Sequence, residues 1–360
     1  APKSKRVIYL LQNGAPSHVD LFDWKPKLRE QHGQQIPDEI AAGKRFSTMT
    51  GGQKERPVLA EITKFERHGD SGATVSSFLP HTAAIADKLC FIKSMNTTQV
   101  NHAPAITFFL TGDERPGRPS MGAWLAYGLG TENQDLPGFV AMSPRAQPRG
   151  KLANWGNSFL PGAYAGTYVN IASMKPEAIM RDLKNKHLAR ADQKRQADLL
   201  ARLNRVQLER VEQDQQLEAS IEAMEMAFRM QFAVPEAFDL SKESKSTLQM
   251  YGGSEYAKGC LLARRLIERG VRTIQLSHSI DGYDIAWDTG HGDIKGGHAR
   301  AAEHSMNRGL EFALLLTLPA TLAGRLSRKG MVIKSFPADL PGYPTDVPRL
   351  VFFPGSTIGN

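Results

Sequence analysis

Unbroken apolar runs that stop at glycine, proline or ligand-type residues constrain this chain more than any other feature. Residues 6–12 read Arg-Val-Ile-Tyr-Leu-Leu-Gln and pass straight into Asn13-Gly14-Ala15-Pro16. A run without polar alternation marks a strand covered on both faces, as in a parallel sheet. The segment 78–89 reads as a helix leading into a strand over 90–95. In the same way a helix over 256–269, stopped by Gly270, feeds a strand over 272–277. Helix followed by strand is the rhythm of crossover connections. The expected fold class is therefore α/β, a mostly parallel central sheet flanked by helices.

The remaining segments are placed around that frame. Ser120 is positioned to cap a helix running to Leu129, and 139–142 is a further short strand. Residues 25–75 are polar and Gly-rich and read as a long excursion. In 176–232, Leu199, Leu203 and Val206, and then Leu217, Ile221, Met224 and Phe228, recur at helical spacing. That region is expected to be an inserted helical arm, a hairpin packed on the sheet domain; a partner-binding coiled coil is the alternative, disfavoured by a heptad sustained for only about three or four repeats. The stretch 310–326 is apolar but contains Glu311, Pro319 and Arg325, so stable membrane insertion is not expected. A strand at 331–333 and coil over 337–360 complete the reading. The whole is one domain, 1–360, with an arm at 176–232 and an atypical C-terminal segment at 305–360.

Apolar residues make up 41% of the chain and charged residues 23%, with both signs interspersed, which supports a core and excludes a disordered chain. The formal charge of +8, from 45 Lys and Arg against 37 Asp and Glu, favours anionic ligands. No helix-turn-helix, zinc-finger or RNP-like pattern accompanies it, so a nucleic-acid partner is not expected. Cys90 and Cys260 lie in apolar contexts and read as two buried thiols. The opening residues carry no visible signal peptide, which fits a cytosolic protein or a mature form without its leader.

Ligand-type side chains gather where the expected strands end. His18 and Asp20 follow the first strand, and His102 follows the second. The third is followed by Trp287-Asp288-Thr289-Gly290-His291-Gly292-Asp293. Ligands of open α/β sheets bind beyond the carboxyl ends of the strands. Nitrogen and oxygen donors without thiolate suit a divalent metal such as zinc, manganese or calcium, with His18, Asp20, Asp288, His291 and Asp293 as candidate ligands. Arg115 and Arg118 would clamp a tetrahedral anion, or else pair with Asp113, Glu114 and loop carbonyls. His32, His68 and His187 read as surface residues, and His298 and His304, six apart, do not share a helical face. No nucleophile elbow, Walker or dinucleotide glycine pattern occurs.

The blocks Leu11-Gln12-Asn13-Gly14-Ala15-Pro16-Ser17-His18-Val19-Asp20, Asn101-His102-Ala103-Pro104-Ala105 and Arg115-Pro116-Gly117-Arg118-Pro119-Ser120-Met121-Gly122 resemble the sulfatase-like family of unknown function that is abundant in planctomycetes. Leu261-Leu262-Ala263-Arg264-Arg265-Leu266 and Trp287-Asp288-Thr289 extend the likeness over roughly residues 5–300. The resemblance implies an alkaline phosphatase superfamily fold and a metal-centred site for sulfate or phosphate esters. It also implies twin-arginine export to the periplasm. Relative to the sulfatase motif Cys-x-Pro-Ser-Arg, His102 stands at the nucleophile position and Ile106 at that of the arginine. Asn13 stands where the superfamily has a metal-binding Asp. The Glu-Phe-Gly-Arg and Arg-Asp-His-His segments of relatives do not occur after His304.

The expected function is a metal-dependent hydrolase of a small anionic ester or sulfated glycan. Asp288 and His291, helped by His18 or Asp20, would hold the metal; His102 would be general base or nucleophile, and Arg118 would steady the anion. The alternative is a non-catalytic exported scaffold that keeps the fold.

Overall fold

The computed structural model describes residues 6–43, 46, 52–95, 97–144, 147–172, 189–208, 215–279, 286–288, 301–302 and 350–352. The strands, in chain order, are β1 (Val7–Leu11), β2 (Phe65–His68), β3 (Ala73–Ser76), β4 (Leu89–Phe91), β5 (Phe139–Ser143), β6 (Thr167–Asn170), β7 (Thr273–Ser277) and β8 (Leu350–Phe352). Four of them form the central sheet in the order β1-β7-β5-β6, and every pairing in it is parallel. Leu11 lies opposite Ser277 and Met142 opposite Leu276, so the carboxyl ends of β1, β7 and β5 come out along one edge.

Strand alternation sorts the side chains onto two covered faces. Ile8, Leu10, Val140, Met142, Ile274 and Leu276 belong to the core on one side, under the helix Glu255–Glu268. Tyr9 and Leu11 pack on the other side against Ile106 and Leu110 of the helix His102–Thr111. Phe139 and Ala141 meet Ala126 of the helix Met121–Leu129 on that same side. Two glycines permit the close approach. A Cβ on Gly259 would lie 2.5 Å from Ile171 Cδ1, and one on Gly122 would lie 2.4 Å from the Phe139 ring.

The α/β expectation holds for the sheet and its flanking helices. Ser120 caps its helix by accepting from Ala123 N at 3.3 Å. Other segments differ from expectation. The helix expected over 78–89 is the single α turn Pro80–Ala84 followed by a 3-10 turn, Ala86–Lys88, because Pro80 can only open a helix and its cap breaks at Ile85. The strand expected over 90–95 is shorter and lies outside the central sheet: β4 pairs in parallel with β8, inside the stretch read as coil. The excursion 25–75 contains the antiparallel hairpin β2–β3. Cys260 is buried and Cys90 half-buried, and both are free thiols.

The arm is two helices, Arg190–Leu208 and Gln215–Phe238. The second carries Met230, Val234, Ala237 and Phe238 into the core. Among the described residues no helix is long and apolar enough to cross a membrane. The expectations for 310–326 and 331–333 lie outside the described residues.

Candidate active site

Beyond the carboxyl ends of β1 and β7 the chain is fixed by side-chain hydrogen bonds between residues far apart in sequence. His278 N donates to Leu11 O at 2.8 Å, which extends the sheet pairing by one step. Trp287, 1% exposed, donates from Nε1 to Gln12 Oε1 at 2.8 Å, and its backbone N donates to Asn13 O at 2.9 Å. Gln12 Nε2 donates to the Tyr256 hydroxyl at 3.0 Å. The His278 ring meets Tyr256 edge-on, with centroids 4.7 Å apart. Trp287 is thus bolted to the end of β1, and the residue after it, Asp288, is held over the sheet edge.

His102 is the first residue of the helix His102–Thr111, whose Ile106 and Leu110 bury against β1. That packing sets the helix start beside the same edge. His102 Nε2 and Asp288 Oδ2 are 2.7 Å apart, and the side chains are 17% and 14% exposed. A carboxylate is an acceptor only, so the pair fixes the imidazole proton on Nε2 and leaves Nδ1 as the basic nitrogen. Asn13, whose backbone O accepts from Trp287 N, is 2% exposed; its Nδ2 donates to His278 O at 3.4 Å, and its Oδ1 is buried with no hydrogen-bond partner among the described residues. A buried carbonyl oxygen left unpaired is costly and marks a place where an electropositive group would be held.

The other expected site residues within the described part have contacts of their own. Asp20 Oδ1 accepts from Ile62 N at 2.9 Å and pins the excursion to the sheet domain. His18 lies beside Asp23, Lys25 and Asp20, and burial pushes its imidazole below the ordinary value against the pull of Asp23. Its Nδ1 is buried without a hydrogen-bond partner. Arg118 Nε lies 3.5 Å from Asp113 Oδ2, and Arg115 pairs with the other oxygen of the same carboxylate. Asp113 follows the far end of the ten-residue helix that begins at His102, about 15 Å away. Arg118 thus pairs with Asp113, as one of the two readings of its sequence context has it.

His291 and Asp293, like His187, His298 and His304, lie outside the described residues. Among the described residues no three His, Cys, Asp or Glu side chains come together as a metal site. Sequence reasoning singled out His102 and Asp288 separately and gave them different tasks; the structure joins them. It passed over Gln12, Tyr256 and Trp287, although a tryptophan inside a Gly- and Asp-rich stretch is a signal of anchoring.

A model of the family described as a protein of unknown function (DUF1501) matches residues 4–331. No curated protein and no solved structure matches the chain.

Proposed function

The chain belongs to the DUF1501 family, and from that starting point we propose that it is a hydrolase of phosphate or sulfate esters whose reactive centre is the His102–Asp288 pair. The observation that carries the reading is a 2.7 Å bond between residues 186 apart in sequence, made at the sheet edge by an imidazole whose other nitrogen has no partner among the described residues. His102 Nδ1 takes a proton from the attacking water, and Asp288 holds the ring in place and stabilises the imidazolium that results. The ester class rests on the motif likeness around Asn13 and His102 and on the basic balance of the chain.

Hard oxygen donors fit a divalent cation at this edge: the orphaned Oδ1 of Asn13 and the carboxylate of Asp288 would hold it. When bound, it supplies a Lewis acid that polarises the ester oxygen. Aryl sulfates, phosphomonoesters and phosphodiesters assayed with zinc, manganese and calcium test the proposal, alongside elemental analysis of protein purified without chelator. Turnover of one ester class that His102→Ala abolishes is expected. Failure with every class and metal, with the protein folded, favours the scaffold reading.

A further inference from the structure

The outer face of the helix Met121–Leu129 carries a row of aromatic rings that the core does not use. Gly122, Ala123 and Ala126 are buried toward the sheet, so the helical period turns Trp124 and Tyr127 outward, where they are 45% and 51% exposed. Phe159, 63% exposed, and the half-buried Tyr164 join them from the loop that follows Trp155. Two hydrogen bonds hold that loop against the start of the helix: Ser120 N donates to Gly156 O at 3.1 Å, and Ser158 Oγ donates to Gly117 O at 2.5 Å. The rings follow one another edge to face. Trp124 meets Phe159 with centroids 5.8 Å apart and Tyr127 at 6.1 Å, and Tyr127 meets Tyr164 at 5.2 Å. Each ring is set in place by its neighbour.

What the row can hold follows from its polar tips and from the charge around it. Trp124 Nε1 and the hydroxyls of Tyr127 and Tyr164 have no hydrogen-bond partner among the described residues. An apolar partner seated on the rings would strip water from these donors and give nothing back. Neither the helix Met121–Leu129 nor the segment 154–170 contains a charged residue, in a chain whose formal charge is +8. Arg118, three residues before the helix, pairs with Asp113. Surfaces that take phosphate backbones or anionic lipids set lysine and arginine among their aromatics, and these two segments have neither. A pyranose meets both demands: its C–H face lies on an aromatic ring, and the hydroxyls around its rim accept from indole N–H and phenol O–H. We propose that Phe159, Trp124, Tyr127 and Tyr164 form a binding platform for a neutral oligosaccharide. The platform shares no residue with the His102–Asp288 pair and does not depend on the reaction proposed there.

Affinity electrophoresis of the full chain tests the proposal, in gels that contain a neutral β-glucan, xylan, mannan or galactan, or else dextran sulfate. Retardation by at least one neutral polymer is expected, and it persists at high salt because no charge is involved. Trp124→Ala weakens it by roughly tenfold or more. Tyr127→Phe keeps the ring and removes only the hydroxyl; it weakens retardation severalfold and decides the matter if the alanine variant does not fold. Unretarded migration in every neutral gel overturns the proposal, as does retardation that both variants keep. Retardation by dextran sulfate alone, lost in salt, overturns it as well. Capture by phosphatidylcholine vesicles in place of polysaccharide, or a dimer in sedimentation velocity that Trp124→Ala dissociates, gives the face to a lipid surface or a second copy and contradicts the proposal.

Discussion

Two of the places where a basic side chain meets a carboxylate from another segment are built to opposite ends. Between the helices Lys245–Tyr251 and Glu255–Glu268, Glu243 accepts from Arg265 at 2.6 Å and from Arg264 at 2.8 Å. Arg265 also donates to the carbonyls of Ala237 and Glu236, both at 3.0 Å, and is 6% exposed. Burial pushes the Glu243 carboxyl up, but the two guanidiniums outweigh it and hold it below its usual value. The charges there are tied up by many bonds. At the sheet edge His102 has, among the described residues, one bond, to Asp288, through Nε2. A saturated cluster locks helices together; the base proposed for the reaction is tethered once among the described residues.

Variants that cut each pair separate the two roles. The largest expected effect is on turnover: His102→Ala or Asp288→Asn lowers the hydrolysis rate roughly a hundred- to ten-thousand-fold while the urea midpoint barely moves. Next, Arg265→Leu removes one of the two guanidiniums on Glu243 and the donor to the Ala237 and Glu236 carbonyls, and costs about 3 kcal/mol in urea unfolding, with the rate per folded molecule kept. Gly259→Ala presses a methyl group on Ile171 and Leu276 and costs about 2 kcal/mol, a core effect that also leaves turnover intact. Asp20→Ala loses the bond to Ile62 N and costs about 1 kcal/mol. Loss of turnover in that variant would move Asp20 from the structural group to the reactive one.

The smallest effect is on pH dependence. Because the folded chain keeps Glu243 ionised where the unfolded chain already takes up protons, its contribution is complete above the ordinary glutamate value and fades as pH falls through the depressed folded one. Glu268, raised by burial, has the opposite sign: its contribution is present in acid and fades as pH rises. Glu243→Gln should flatten the acid limb of a stability profile measured by urea unfolding. An unchanged limb would show that the cluster is not the source.

β1 was legible in the sequence as an apolar run, and the helix Glu255–Glu268 and β7 as a helical period and a short strand divided at Gly270. The hairpin β2–β3 was not, because its Phe-Glu-Arg-His strand is partly solvated and lacks a clear period; Gly69-Asp70-Ser71-Gly72 was the available turn signal. The strand β6, Thr-Tyr-Val-Asn, sits at the sheet edge and is too short to stand out. The pairing of β4 with β8 joins residues more than two hundred positions apart, beyond any local pattern. At the site, residue type and strand-end position pointed to His102 and Asp288 individually. Their contact depends on Trp287 docking against Gln12 and Asn13, a tertiary event with no local trace.

The most direct test is a double-variant cycle on whichever aryl ester the wild-type protein hydrolyses fastest. If His102 and Asp288 act as one unit, the rate of the combined His102→Ala, Asp288→Asn protein equals that of His102→Ala alone. Independent, multiplying losses, or no ester turned over at all, would contradict the account.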